Sequence, residues 1–592
     1  MKNIKAYFSS LSSNIWFGFK TSYLASKKYF SLKLLLLLFS TFIPLITIWL
    51  WRGILNGIID KSTNLVIIYL GIYLVLKLLL YILSRFDDYI RSRYSDELTF
   101  YIEAVMIQKT SRVDLSFFDS AVMGDKVRNT RSNFRIMEDT TWLVFNIISA
   151  FLSVITTLIL VSAYNIWLGF LTIILLAPFM AYSKRHIERM YLLEKKQIRE
   201  NRKKDYFNDV FFDNNVQFEI KLNRLGNYFI ERYKKISTVL FNERKSEQIK
   251  HTIKSILLLI INFITEVLVL IFSIFDVLNN KIGIGDLQFN VSMVSRLREQ
   301  STQLMDNINS LFVNNTRLNE LKEFINIKPE IEKSGSKTPN KNPRIEFKSV
   351  YFKYPNSKDY ILKDCSFIIK ENQKIGLVGI NGSGKSTIIK LLFRFYDPQK
   401  GIILLDGLDI KEYDIYAVRD IFGVLFQDYV TYCLPLREII GLSNFDERFN
   451  DEKLKSACDI SGVTEIIKDW ELGYDTILGR YYADNGKDLS EGQWQLVGLA
   501  RAYFRESEFM ILDEPSAFLD PISENRIFEQ LYNLSKGKSS VIISHRLSNT
   551  TLVDKIIVID DGHIIEQGSH FDLLKQKGKY AYLFNLQARK YK

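Results

Sequence analysis

Gly379-Ile380-Asn381-Gly382-Ser383-Gly384-Lys385-Ser386 is the sequence around which the second half of the chain is organised. It has the spacing GxxxxGKS, in which glycines let backbone N–H groups approach a row of phosphates closely. Lys385 supplies a positive charge for the β- and γ-phosphates, and the Ser386 hydroxyl can reach Mg²⁺. The apolar run 374–378 precedes this loop and the helical pattern 387–395 follows it. This order predicts a nucleoside triphosphate site in an α/β domain.

Composition restricts the class of protein to which such a site can belong. The chain has 592 residues, of which 47% are hydrophobic and 14% aromatic, and its formal net charge is +12. This combination is typical of a membrane protein with basic cytoplasmic parts, although a nucleic-acid-binding protein could be equally basic. The three cysteines, Cys365, Cys433 and Cys458, are widely spaced. They predict reduced thiols rather than a disulfide framework or a metal site.

The first half of the chain has the pattern of a membrane domain. Residues 1–33 are basic and aromatic, without an acidic residue, which predicts a cytoplasmic lead-in helix on an anionic membrane surface. A signal peptide is the alternative, but the following apolar run is too long and lacks a small-residue cleavage site. Within a transmembrane domain at 34–327, apolar segments long enough to cross a bilayer lie at 34–56, 64–84, 142–163, 166–183 and 255–278.

A sixth segment, 286–312, is weak because it contains Arg296, Arg298, Glu299 and Asp306. We include it since an even number of crossings returns the chain to the side of its N-terminus. The long connections 85–141 and 184–254 are rich in Lys and Arg, which predicts that they and the N-terminus are cytoplasmic. They are predicted to be helices that continue out of the membrane. Their basic excess explains much of the net charge, so no nucleic-acid partner is expected.

Two ionisable residues, Lys77 and Glu266, lie near the middle of predicted spans. Such groups are costly in a bilayer unless they face a cavity or a partner. They and the cluster of Arg296, Arg298 and Glu299 therefore line a polar pathway, or else they snorkel to the interface, pair internally or lie in spans whose bounds are misplaced.

After a polar linker at 328–343, the domain at 344–592 alternates short strands with helices. Its apolar run 509–512 ends in Asp513 and Glu514, where a parallel sheet presents its chemistry. We expect Asp513 to hold Mg²⁺ and Glu514 to polarise the attacking water. A second run, 541–544, ends at His545, which we expect to contact the γ-phosphate.

The sequence Leu489-Ser490-Glu491-Gly492-Gln493 precedes a helical pattern. A serine cap and a glycine at a helix start form an anion site in addition to the GxxxxGKS loop. One bound nucleotide does not need two such sites from the same chain.

With these motifs the second half resembles the nucleotide-binding domain of ABC transporters, and the whole chain resembles an exporter half-transporter. The resemblance implies an all-α six-helix transmembrane domain followed by an α/β ATPase domain that uses ATP and Mg²⁺. It identifies Leu489 to Gln493 as the signature motif, which completes the ATP site of the opposite subunit. It also implies that Tyr354 stacks on adenine, that Gln427 is the Q-loop glutamine and that Ala517 to Asp520 is the D-loop.

The predicted site residues follow from these motifs together. The catalytic pair is Glu514 and His545, and Mg²⁺ is held by Ser386, Gln427 and Asp513. The nucleotide-binding residues are Tyr354, Gly379, Asn381, Gly382, Ser383, Gly384, Lys385, Ser386, Thr387, Gln427, Ser490, Gly492, Gln493 and Asp513. Two residues depart from the family pattern: Glu491 replaces a glycine of the signature, and Ala517 replaces a serine of the D-loop. A competent ATPase is still expected.

Three stretches of the ATPase half, 426–441, 479–488 and 492–495, resemble the subgroup of lantibiotic and related peptide exporters. The predicted cargo is therefore a peptide carried across the cytoplasmic membrane, by a homodimer or by a heterodimer with an unlike half-transporter. The alternatives are a lipid or drug exporter and, more remotely, a soluble ABC ATPase acting on nucleic acid or ribosomes. In this family the turns of the cytoplasmic helices dock on the ATPase domain, which would place the turns near 118–125 and 208–215 there.

Overall fold

The computed structural model describes residues 2–119, 135–164, 166–329, 331, 335–355, 357–426, 430–514, 537–544 and 547–588. The chain divides into two compact units. The first unit comprises Met1–Arg112 and Asp125–Ile327, and the second comprises Val113–Gly124 and Lys328–Lys592.

The described part of the first unit is helical. Its helices are α1 (Lys2–Ala25), α2 (Lys27–Ile59), α3 (Thr63–Thr110), α5 (Arg135–Tyr164), α6 (Ile166–Asp209), α7 (Asn214–Leu222), α8 (Gly226–Leu278) and α9 (Ile284–Ile325), and a short 3₁₀ turn lies at Val210–Phe212. A further described helix in this part of the sequence, α4 (Leu115–Phe118), belongs to the second unit.

Three described helices are long and apolar enough to cross a membrane: Lys27–Ile59, Thr63–Thr110 and, inside α5, Ile136–Ala163. They contain the predicted spans 34–56, 64–84 and 142–163. The spans 166–183 and 255–278 lie in α6 and α8, where several side chains are outside the described residues, so these spans stay predictions. The weak segment 286–312 lies in α9, which is helical but not among these three.

The long basic connections continue the membrane helices, as the sequence predicts. The 48 residues of α3 correspond to about 72 Å at 1.5 Å per residue. A hydrocarbon core is only about 30 Å thick, so the polar second half of α3 extends beyond it. The same holds for the basic ends of α6 and α8.

The lead-in helix α1 packs on α9, which the sequence does not predict. Asn14 is fully buried, and its amide nitrogen donates to Asn315 Oδ1 at 3.0 Å and to Asn319 Oδ1 at 3.2 Å. The Lys322 ammonium donates to Asn14 Oδ1 at 3.1 Å. Because a buried amide is costly without partners, this network fixes the register of α1 on α9.

Glu266 is paired within the first unit. Its carboxylate lies 3.0 Å from the Arg298 guanidinium and also accepts a hydrogen bond from the Ser295 hydroxyl. The ammonium of Lys77 lies 5.6 Å from the centre of the Tyr73 ring. Internal pairing, one of the interpretations given above for these charges, therefore accounts for Glu266.

Two histidines stack where α6 and α8 pass beyond their predicted spans. The rings of His186 and His251 are 3.7 Å apart and nearly parallel, and the Tyr182 ring lies beside both, 5.7 Å from His251 and 6.4 Å from His186. Burial and, to a smaller extent, the neighbouring His251 lower the pKa of His186 to about 4, although Glu247 opposes this shift. Burial also lowers the pKa of His251, although Asp306 opposes it. Both rings are therefore neutral at pH 7.

This stack predicts a loss of stability in mild acid. Because the folded-state pKa of His186 is about 4 and an unfolded histidine has a pKa near 6.5, the unfolded state binds more protons between these pH values. The contribution of neutral His186 to the free energy of unfolding is therefore complete above about pH 6.5 and is lost as the pH falls towards about 4. Between pH 7 and 4.5, we expect the apparent Tm of the wild type to fall more than that of His186→Gln, measured by scanning fluorimetry.

His563→Gln, at an exposed histidine, is the matched control for this prediction. Parallel curves for the wild type and His186→Gln would contradict this prediction.

The described part of the second unit contains two sheets. Its strands are β1 (Ile345–Phe352), β2 (Leu362–Ile369), β3 (Lys374–Val378), β4 (Lys400–Leu405), β5 (Leu408–Asp409), β6 (Phe422–Leu425), β7 (Phe509–Asp513), β8 (Ser539–Ile543), β9 (Lys555–Asp560) and β10 (His563–Gly568). The strand order is β2-β1-β4-β5 in the smaller, antiparallel sheet and β10-β9-β3-β8-β7-β6 in the larger. All neighbours in the larger sheet are parallel except β9 and β10.

Short helices surround these strands. They are α10 (Lys385–Leu392), α11 (Ile415–Asp420), α12 (Leu436–Gly441), α13 (Asp451–Ser461), α14 (Val463–Ile467), α15 (Glu491–Arg505), α16 (His570–Gln576) and α17 (Lys579–Ala588), with 3₁₀ turns at Ile410–Glu412, Phe445–Glu447, Gly473–Asp475 and Leu547–Leu552. The central strands β3, β7 and β8 are short apolar runs buried almost along their whole length. This is expected of parallel strands covered on both faces. The α/β fold predicted for the second half is thus confirmed.

Candidate nucleotide site

The loop between β3 and α10 has a backbone that only glycine adopts easily. Gly382 has φ +79° and Gly384, which caps α10, has φ +109°. A Cβ on Gly379 would collide with the carbonyl oxygen of Ile559. Both the turn and its close packing therefore require the glycines of the GxxxxGKS spacing.

Lys385 is held by this loop. Its ammonium donates to the carbonyl oxygens of Gly379 at 2.9 Å and Ile380 at 3.0 Å, and the residue is only 6% exposed. Burial lowers the pKa of Lys385, while the nearby charges of Glu514 and Asp513 oppose that shift. The loop thus presents a positioned charge at the start of a helix, which suits a phosphate.

A cavity of about 470 Å³ lies above the loop. Its described lining consists of Tyr354, Ile361, Asn381, Gly382, Ser383, Gly384, Lys385, Ser386, Thr387, Glu514 and Ile543. Nine of these eleven residues are among the predicted site residues, and Gly379 contacts the same lysine. The buried Ser383 hydroxyl has no hydrogen-bond partner among the described residues.

Glu514 reaches the cavity from the end of β7. Its backbone has φ +48°, and its N–H donates to the Ile543 carbonyl at 2.9 Å, which ties it to β8. A non-glycine residue in the left-handed region is uncommon and is found where a side chain is held in a special direction. Here that direction brings the carboxylate to the wall of the nucleotide cavity.

Tyr354 is the aromatic residue of the described cavity lining. Its hydroxyl lies 3.2 Å from the Thr387 hydroxyl, and the ammonium of Lys390 lies 5.0 Å from the centre of its ring. The ring also makes edge contacts with Phe352 and Tyr396 at 5.1 and 5.3 Å. These contacts fix the aromatic wall that a base can stack against.

Ser490 begins α15 as expected for a helix cap. Its hydroxyl accepts from the Gln493 N–H at 3.3 Å, while the Gln493 side chain accepts from the Ser490 N–H at 3.0 Å. Ser490, Gly492 and Gln493 are not part of the described lining of this chain's own cavity. The exposed Glu491 occupies the first position of the helix.

Some residues predicted to belong to the nucleotide site fall outside the part of the chain that the structure describes. Gln427, His545 and the D-loop at 517–520 lie outside the described residues. Conversely, Ile361 and Ile543 line the cavity although the sequence analysis did not name them. Ile543 could have been found, because it ends the strand before His545, whereas Ile361 lies in a loop with no such signal.

The short helix α4 packs into the second unit. Leu115 contacts the main apolar core of that unit, and the Tyr396 hydroxyl donates to the Asp119 carboxylate. The Asp114 carboxylate accepts from the Ile331 N–H at 3.1 Å. Burial and the charge of Asp119 both raise the pKa of Tyr396. The predicted docking of the turn at Phe118-Asp119 is confirmed for these residues, while docking of the turn at 208–215 stays a prediction.

Comparison with known proteins defines the class. Residues 362–517 match the family model described as ABC transporter. The chain is 28% identical over 544 residues to the subtilin transport ATP-binding protein of Bacillus subtilis, covering 90% of this chain and 87% of that protein. It is also 28% identical over 568 residues to the nisin transport ATP-binding protein of Lactococcus lactis, covering 94% and 93% respectively.

The fold is that of a solved structure described as a bacterial Atm1-family ABC exporter with ATP bound. The TM-score is 0.83 at 21% identity, covering 95% of this chain and 99% of the other. The chain therefore carries an ABC transporter ATPase domain at 362–517, fused to an N-terminal helical transmembrane region. It hydrolyses ATP in a reaction coupled to transport.

Proposed function

We propose that this ATP-driven exporter carries a peptide of the lantibiotic or bacteriocin-like class out across the cytoplasmic membrane. The observation that carries the proposal is the similarity to the subtilin and nisin transport proteins, which extends over both halves of the chain. It therefore includes the helical region that meets the cargo. In this proposal the N-terminus and the ATPase domain are cytoplasmic.

The nucleotide cavity supports the following division of roles. Tyr354 stacks on the base, the loop N–H groups and Lys385 hold the phosphates, and Glu514 orients and polarises the attacking water. His545 contacts the γ-phosphate in this scheme, and Gln427 links the site to the membrane domain. The left-handed backbone of Glu514 and its bond to Ile543 support its role, because they hold the carboxylate at the cavity wall.

The residues present fit a magnesium ion. Mg²⁺ prefers oxygen ligands and combines one or two protein groups with substrate phosphates. Ser386 lines the cavity, and Asp513 is close enough to influence the pKa of Lys385. Ser386 and Asp513, with Gln427, would hold the ion, which neutralises phosphate charge when bound.

The chain works as a dimer in this proposal. Ser490, Gly492 and the start of α15 form a capped helix N-terminus that is not in the described lining of this chain's own cavity. In a symmetric pair, each chain can supply this terminus to the cavity of the other. A homodimer satisfies this arrangement, and a heterodimer with an unlike half-transporter is the alternative.

The cargo can be tested directly. Inside-out vesicles containing the chain should accumulate a labelled lantibiotic-class peptide when ATP is added, and vesicles with Glu514→Gln should not. Relatives named as lipid A-core flippases also match the chain, so a fluorescent lipid is the second arm. ATP-dependent movement of the lipid without the peptide would replace the peptide proposal by the lipid alternative.

A further inference from the structure

A second cavity, of about 220 Å³, lies in the first unit among α6, α8 and α9. Its walls come from residues between 186 and 197 on α6, 244 and 248 on α8, and 309 and 317 on α9. On α6 and α8 these residues lie beyond the predicted membrane spans, on the basic extensions. The cavity is therefore outside the nucleotide site and does not take part in the ATP chemistry described above.

Its lining carries an excess of positive charge. The charged side chains are Arg244, Arg317 and Glu194, and the fourth titratable group, His186, is neutral at pH 7. Two guanidinium groups against one carboxylate leave a single net positive charge. Burial raises the pKa of Glu194, whereas both arginines oppose this shift, so all three groups share one electrostatic environment. A bound monoanion would cancel this charge, whereas a dianion would leave one net negative charge in the cavity without a partner.

Arg244 is held in place by a buried amide. Gln197 is 2% exposed, and its Oε1 accepts from Arg244 Nε at 2.9 Å while its Nε2 donates to Glu243 at 2.9 Å. The guanidinium is thus positioned before any ligand binds, which lowers the entropy cost of binding. Arg317 makes no hydrogen bond or ion pair with the described residues, so the N–H donors of its guanidinium group are available to a ligand.

The rest of the cavity lining is partly polar and partly apolar. Asn309 lines the cavity, and its Oδ1 is buried without a hydrogen-bond partner among the described residues. A buried acceptor of this kind calls for a donor such as a peptide N–H. Met190, Leu193 and Phe312 add an apolar surface. The volume is below the roughly 300–1,000 Å³ of pockets for whole small ligands, which suits one or two residues of a chain.

We propose that this cavity binds a carboxylate-bearing residue of the exported peptide, with Arg244 and Arg317 as its ion-pair partners. Asn309 accepts a backbone N–H of that residue, and the apolar wall receives its side chain. Arginine forks match planar carboxylates, and the single net positive charge matches one carboxylate rather than a phosphate dianion. The inference rests on the proposed function, because it names the chemistry that the exporter recognises in its cargo.

The test compares three rhodamine-labelled pentapeptides binding to the full chain in nanodiscs, measured by fluorescence anisotropy. The first is Ala-Ala-Ala-Ala-Leu with a free C-terminal carboxylate, the second is its amide, and the third is an amide with glutamate as the last residue. We expect at least one of the two carboxylate peptides to bind about tenfold more tightly than the neutral amide, because only a carboxylate forms charge-assisted hydrogen bonds with the arginines. The first or third peptide then identifies a terminal or a side-chain carboxylate as the source.

Variants separate the cavity from the general basicity of the surface. Arg317→Gln and Arg244→Gln should each reduce this preference to nearly that of the neutral amide, and Arg317→Lys should retain part of it because the charge stays. Arg199→Gln, on an exposed arginine of α6 that is outside the lining, should behave as the wild type.

Equal binding of all three peptides, or a preference that survives in both glutamine variants, would overturn the inference. These results would leave the proposed function standing if wild-type vesicles still take up peptide with ATP. Loss of that uptake, by contrast, removes the proposed function itself.

Discussion

Glu514→Gln should reduce the steady-state ATPase rate of the purified, reconstituted chain by at least about a hundredfold, since a positioned general base contributes roughly 10²–10⁴ to a rate. The amide has nearly the shape of the carboxylate but cannot accept a proton from water. The left-handed backbone at this position and the N–H bond to Ile543 do not depend on the side chain, so the fold should be retained. ATP binding, followed with a fluorescent ATP analogue, should remain close to that of the wild type.

The matched control is Glu508→Gln, which changes the same functional group just before the other end of β7. It should keep at least about half of the wild-type rate, because single substitutions away from a site are usually mild. A Glu514→Gln chain that hydrolyses ATP at a rate similar to this control would show that another group activates the water.

The Lys385→Ala variant should bind ATP more weakly and also hydrolyse it more slowly. We expect the affinity for ATP to fall by roughly ten- to a hundredfold, as removal of a charged hydrogen bond costs about 1.5–3 kcal/mol. The rate at saturating ATP should fall by a further 10²–10³, on the order found when one donor to a developing charge is removed. The difference from Glu514→Gln, which keeps its affinity, separates holding the phosphates from activating the water.

Lys400→Ala provides the control for this change, because Lys400 is an exposed lysine on β4 of the same unit. Equilibrium binding of the ATP analogue and ATPase assays at several ATP concentrations measure the two effects independently. Unchanged affinity in Lys385→Ala would contradict the role given to this lysine.

The nucleotide loop could be predicted from the sequence because its chemistry is local. The glycines and Lys385 lie within eight consecutive residues, and the strand and helix beside them have clear apolar patterns. Asp513 and Glu514 could be placed for a similar reason, since the carboxyl end of a parallel strand is where a sheet presents polar groups. Ile361 was missed because it reaches the cavity through a loop whose path depends on tertiary packing.

The second cavity shows the limit of such prediction. Glu194, Arg244 and Arg317 are separated by at least 50 residues, and each has the pattern of an ordinary surface charge on a basic helix. Only the packing of α6, α8 and α9 brings them together. The stack of His186 on His251 and the amide network of Asn14 arise in the same way, from the register of one helix on another.

The most direct measurement for the central claim is the ATPase rate of a heterodimer made from two differently tagged variants, Lys385→Ala and Ser490→Arg. Each variant alone should be inactive, because every site in its homodimer carries a damaged component. If each cavity is completed by Ser490 of the other copy, the doubly tagged heterodimer contains one intact site and should recover activity to the order of half of the wild-type rate. A heterodimer as inactive as either parent would contradict the claim that two copies of this chain share their ATP sites.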